Sequence, residues 1–276
     1  MTTIIILLFN LYLSYSFFFN KNNLSPDTAK LINYNLGNNI LKKIKNKILN
    51  ETDEYKIVEN KKIIKIAPAG LNGFYMLGIC NYIRDTYDLS NYIFSGASAG
   101  AWNSLYLCYN GNITKFKETI FNLQFQNVTS VLEIQHMLKS HIIKNLNEDD
   151  FDFSKLFIGV TIFDNCGFKN TIFSEFVSLE DALDCCIASS HIPLITGGIF
   201  NIYKNLYTFD GGFSMDPYIN KSETLFIRHN MWNNKTSNLF FDIASFNITD
   251  HNFTQSFIDG YNDSKNNKQI LDKYLI

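Results

Sequence analysis

Short apolar runs alternate with helix-period segments along this chain, and that alternation predicts an α/β architecture. Lys62–Ile66 reads as a strand, followed by a small-residue loop, Ala67-Pro68-Ala69-Gly70-Leu71-Asn72-Gly73, and an apolar helix over residues 74–83. A second strand-like run at 92–94 passes through Ser95-Gly96-Ala97-Ser98-Ala99-Gly100 into a helix with Trp102, Leu105 and Tyr106 on one face. Residues 116–146 read as mostly helical. Residues 155–163 (KLFIGVTIF) form the strongest strand pattern, with 170–176 expected to pair beside it. A helix over 178–189 starts at Ser178, with Glu180 and Asp181 in its first turn. Beyond the loop at 190–193, Leu206–Phe209 is a strand ending in Asp210-Gly211-Gly212, and 224–228 and 239–244 read as later strands. From residue 250 the chain is polar with weak alternation, and no element is predicted there. No internal repeat or linker interrupts residues 61–276, which are expected to form one domain.

Ahead of that domain the pattern changes. Residues 1–20 carry an apolar run broken by Asn10, Ser14 and Ser16. It is marginal as a membrane span and long enough for the core of a signal peptide, although no basic residue precedes it. Signal peptide, uncleaved anchor and buried helix all remain open, and so do a secretory or membrane-associated location and a cytoplasmic one at lipid surfaces. Residues 21–60 read as a helical lead-in with Leu31, Leu36, Ile40, Ile44 and Ile48 at helical spacing. This is a packed or surface helix or, as the alternative, a membrane-facing one.

Composition narrows the function classes. A 276-residue chain that is 46% apolar and 18% charged can bury a full core. Its net charge of −2 and lack of a dominant basic run give no reason to expect nucleic acid. The five cysteines show no Cys-x-x-Cys spacing, which weighs against zinc and thioredoxin-like chemistry. His, Asp and Glu form no cluster at ligand spacing, so neither metal nor cofactor is expected.

The chemistry concentrates around Ser98. Strand, tight turn and helix around Gly96-x-Ser98-x-Gly100 is the layout of a nucleophile elbow, in which near-absent side chains let the turn hold a serine exposed. The plain alternative is a small-residue turn that only lets a helix pack close to a sheet. The loop carrying Gly70 and Gly73 would point backbone N–H groups outward at a helix start, as an oxyanion site or a phosphate site requires. No Gly-x4-Gly-Lys-[Ser/Thr] or complete Gly-x-Gly-x-x-Gly signature accompanies it.

Three segments fall in one order: residues 70–78, residues 95–101, and residues 186–193 leading through Leu206–Phe209 to Asp210-Gly211-Gly212. Together they resemble the patatin-like phospholipases, most nearly the adipose triglyceride lipase and adiponutrin branch. The resemblance implies a three-layer α/β/α fold with a mostly parallel sheet and a Ser–Asp dyad lacking a triad histidine. Carried over, Ser98 is the nucleophile, Asp210 its base, and the N–H groups of Gly70 and Leu71 the oxyanion hole. Gly73, Gly96, Gly100, Gly211 and Gly212 complete the motifs. His191 lies in a matching segment and is expected in the site wall.

The implied activity is hydrolysis of phospholipid or acylglycerol esters through an acyl-enzyme. The implied partners are a lipid ester and, peripherally, a membrane or lipid-droplet surface. A catalytically weak or silent fold that binds lipid or a protein is the rival reading. The chain departs from the family at Pro68, where glycine is usual, at Asn72, where a basic residue is frequent, and at Asp216, where asparagine is common. Proline has no N–H, so an oxyanion hole here must use later amides.

Overall fold

The computed structural model describes residues 61–123, 128, 130–164, 167–214, 216–219, 224–232, 248 and 251–276. The expected segments at 1–20 and 21–60, the strand at 239–244 and Cys166 lie outside them.

Strand β1 (Lys62–Ile66) buries Ile63, Ile64 and Ile66 completely and is paired in parallel on both edges. Its neighbours are β2 (Tyr92–Ala97) and β7 (Thr224–Ile227). Near-continuous apolar runs are what a strand covered on both faces requires. β2 pairs in parallel with β3 (Leu156–Asp164), which forms an antiparallel hairpin with β4 (Gly167–Phe173). β3 also pairs antiparallel with β6 (Leu206–Phe209), and β6 with β5 (Asn201–Tyr203). The sheet order is β5-β6-β3-β2-β1-β7, with β4 joined to β3 off that path. The sheet is therefore mixed. Its parallel core carries the two strand-to-helix loops that matter below.

Helices lie on both sides, giving the three-layer α/β/α fold. α1 (Gly73–Thr86) follows β1 and α2 (Ala99–Cys108) follows β2, packing over β1, β2 and β3. α3 (Ile113–Phe121) and α4 (Val131–Asn145) form a pair outside α2, and α5 (Leu179–Ser189) covers β3. Side-chain caps start three of these helices. Ser178 Oγ accepts from Asp181 N at 3.0 Å, Ser130 Oγ from Glu133 N at 3.2 Å, and Asn112 Oδ1 from Thr114 N at 2.9 Å. Each cap satisfies a helix-start amide that has no partner inside the helix.

The C-terminal segment corrects the sequence reading. Instead of a weakly alternating tail, residues Phe253–Asn266 form α6 and Lys268–Leu275 form α7. α6 turns Phe253, Phe257, Gly260, Tyr261 and Ser264 inward, a short apolar stripe diluted by glycine, serine and the polar residues around it. It is held against α1 by backbone proximity. A Cβ at Gly260 would lie 1.9 Å from the Tyr75 carbonyl oxygen, and one at Gly78 would lie 2.0 Å from that of Phe257. Tyr75 Oη adds a hydrogen bond to Asp263 Oδ2 at 2.6 Å, and Tyr87 Oη one to Asp272 Oδ1 at 2.7 Å. The expected strand at 170–176 is likewise shifted, ending at Phe173, because its register is set by the hairpin turn at Gly167. No helix among the described residues is long and apolar enough to cross a membrane.

Candidate active site

Ser98 sits between the last residue of β2 and the first of α2, with φ 54° and ψ −126°. A side-chain-bearing residue rarely occupies that region, and it persists only where the surroundings over-determine it. Here two glycines do so. A Cβ at Gly96 would lie 2.1 Å from the Gly100 carbonyl oxygen, and one at Gly100 would lie 2.1 Å from that of Ile66. Gly73 is confined less tightly, where a Cβ would lie 2.8 Å from Ala99 Cβ. The Ser98 N–H donates to Ser189 Oγ at 2.8 Å, and Ser189 donates onward to the Gly159 carbonyl at 2.7 Å. The serine is thus pinned from the strand, the helix and α5 together.

Asp210 follows β6 and is fully buried. Its N–H donates to the His191 carbonyl at 2.7 Å, and its Oδ1 accepts from Gly212 N–H at 2.7 Å. Oδ2 is buried with no bond of full hydrogen-bonding geometry, yet the Ser98 hydroxyl is close enough to favour the carboxylate form. Burial outweighs that help and the Gly212 bond, and the carboxyl is pushed up to about 7. Gly211 admits no side chain, since its Cβ would lie 2.3 Å from the Gly159 carbonyl oxygen. Gly212 faces Pro68, whose Cγ would be 3.0 Å from a Cβ there. The first loop and the Asp-Gly-Gly loop therefore touch.

Gly70 takes φ 55° and opens a 3-10 turn, Gly70–Asn72, that leads into α1. Gly70, Leu71, Gly73 and Ser98 share the wall of one cavity of about 100 Å³. The rest of that wall is mostly apolar: Trp102 of α2, Phe116 and Ile120 of α3, and Ile134, Leu138 and Ile142 of α4. The structure thus brings the two sequence motifs to one opening, with Asp210 behind the serine.

The family model described as patatin-like phospholipase matches residues 69–220, more than half of the chain. The chain belongs to the patatin-like phospholipase family. No curated protein matched it. The family carries lipid substrates and lipid hydrolysis as its class of activity, and the matched span contains Gly70, Leu71, Gly73, Gly96, Ser98, Gly100, Asp210, Gly211 and Gly212.

In this patatin fold His191 contributes its main chain to the site. Its ring is buried, with Nδ1 3.3 Å from Thr196 Oγ1, and burial lowers its proton affinity. Asp216 is exposed, and its carbonyl accepts from Asn170 Nδ2 at 2.8 Å. Three site features had no signal strong enough to single them out in the sequence. Ser189, which holds the Ser98 amide, is one of two adjacent serines in the Ala-Ser-Ser-His segment. Ser190 Oγ donates to the Cys186 carbonyl at 2.6 Å while accepting from Trp102 Nε1 at 3.2 Å. Gln135, on α4, donates from Nε2 to Ser190 Oγ at 3.0 Å and to Ser190 O at 3.2 Å.

Proposed function

We propose that this protein is a serine acyl hydrolase of lipid esters, working through Ser98 and Asp210. The observation that carries the proposal is the pairing of a conformationally strained serine at an apolar cavity with a buried carboxylate lying behind it. Asp210 accepts the Ser98 proton as Oγ attacks the ester carbonyl. The oxyanion is held by the N–H groups of Gly70 and Leu71, and the leaving alcohol takes the proton back. Water then cleaves the acyl-enzyme by the same route in reverse. A base whose pKa lies near 7 is matched to proton transfer at neutral pH. The apolar walls from α3 and α4 suit an acyl chain.

Within the family, the proposal places the chain beside the triglyceride lipase and adiponutrin branch, acting on phospholipids or acylglycerols at a membrane or lipid-droplet surface. Leu194 and Phe200 support a peripheral approach. They are 70% and 41% exposed on the loop whose Ile192 and Thr196 line the cavity. Pro68, which supplies no amide to the first loop, favours a second reading: a fold that binds lipid with little turnover.

Labelling by a fluorophosphonate separates the two. Wild type should label while Ser98→Ala and Asp210→Asn do not. Absence of labelling in folded wild type would sink the hydrolase reading and leave the binding one.

A further inference from the structure

Gln135 is a buried carboxamide in an otherwise largely apolar wall, about 95% removed from solvent by its 5% exposure. Its orientation is fixed by its neighbours. Ser190 O can only accept, and Ser190 Oγ spends its proton on the Cys186 carbonyl at 2.6 Å, so toward Gln135 both act as acceptors. The Nε2 group must face Ser190, which sends Oε1 the other way. There Oε1 has no partner among the described residues. A buried acceptor left unpaired carries a desolvation cost that a ligand donor can recover.

The position of this acceptor is informative. Ser190 adjoins Ser189, which holds the Ser98 amide at 2.8 Å, and Trp102, one helical turn beyond Ser98, bonds the same Ser190 hydroxyl at 3.2 Å. Gln135 is thus joined through Ser190 to the segment that holds the elbow, and it lines the same cavity as Ser98. A hydroxyl on a lipid seated in that cavity is a donor of the kind this acceptor lacks.

We infer that Gln135 is a specificity residue that receives a substrate hydroxyl near the ester, so that the protein favours hydroxyl-bearing lipids over their fully apolar counterparts. The inference rests on the lipid-ester reading of the cavity. The hydroxyl has two possible sources: the alcohol half, as in a lysolipid or monoacylglycerol, or the acyl chain itself.

The test uses soluble short-chain ether analogues of the ester, which cannot be hydrolysed, and reads their binding to the full chain by calorimetry. One pair carries a free hydroxyl or its methyl ether on the glycerol half, and a second pair carries them on the chain. In wild type the hydroxyl member of one pair should bind about 10- to 100-fold more tightly than its methyl ether, the range of one buried hydrogen bond. The pair that discriminates identifies the source. In Gln135→Leu the ratio should fall to within about threefold. Equal binding of both members of both pairs by wild type overturns the inference, as does a ratio that persists in Gln135→Leu. The wild-type comparison stands without the variant, should the variant not fold. Fluorophosphonate labelling of Ser98 is scored separately, so loss of the hydrolase reading and loss of this one are distinguishable.

Discussion

The backbone N–H of Ser98 donates to the side chain of Ser189 at 2.8 Å, and the same hydroxyl donates to the Gly159 carbonyl at 2.7 Å. One side chain thereby ties the elbow to α5 and β3. Ser189 is fully buried, so Ser189→Ala leaves a donor and an acceptor unpaired and should cost about 2–4 kcal/mol of stability. The proposed turnover should drop with it, since the strained backbone of Ser98 loses a restraint. Denaturant titration beside esterase assays would check both, and an unchanged unfolding midpoint would refute the link.

Ser98→Ala should remove at least about 1,000-fold of ester hydrolysis while leaving the fold intact. Ser98→Gly should be equally inactive but more stable than Ser98→Ala by about 1 kcal/mol, because glycine adopts φ 54° without steric cost. Thermal unfolding of the two variants measures the strain stored at the elbow.

Asp210 makes the protein's pH response predictable. Its carboxyl is pushed up to about 7 by burial, above the unfolded value of about 3.9. The native state therefore holds a proton that the unfolded state has released between those values. The stability linked to this group is present on the acid side and is lost as pH rises through about 7. Activity should move the opposite way, rising with a midpoint near 7 as the base ionises. Asp210→Asn should be inactive and, at pH about 8, more stable than wild type. A flat activity profile between pH 5 and 9 (roughly two units either side of the midpoint) would remove Asp210 from the role of base.

The α1–α6 crossing depends on two glycines. Gly260→Ala would drive a methyl group to 1.9 Å from the Tyr75 carbonyl oxygen, and Gly78→Ala one to 2.0 Å from that of Phe257. Each should destabilise by about 1–3 kcal/mol or more, since backbone atoms cannot rotate away. Hydrogen exchange should show α6 opening more readily in either variant.

Leu138, the next residue along the same face of α4 from Gln135, lines the cavity. Leu138→Trp should shorten the preferred acyl chain by several carbons, reading out as lower kcat/KM for long-chain esters with short-chain esters retained. Equal losses for all chain lengths would place the acyl chain elsewhere.

While the mostly parallel sheet came with the family resemblance, sequence alone reached the α/β class, the strands at β1 and β2 and the strand-turn-helix at Ser98. These rest on local patterns: buried parallel strands must be apolar throughout, and a strained turn needs small residues at fixed spacing. The Asp-Gly-Gly loop was legible for the same reason, since Gly211 and Gly212 lie against backbone and Pro68. Other features were decided only by tertiary packing. α6 packs through Phe253, Phe257 and Tyr261, but Gly260 against the Tyr75 backbone and the many polar residues dilute that stripe, so it was not picked out in the sequence. Ser189 and Gln135 are ordinary polar residues in the sequence, and each acquires a role from groups 91 and 55 positions away. The raised proton affinity of Asp210 likewise belongs to no local motif. It comes from burying a carboxyl under a sheet and two loops, and burial is a property of the folded chain.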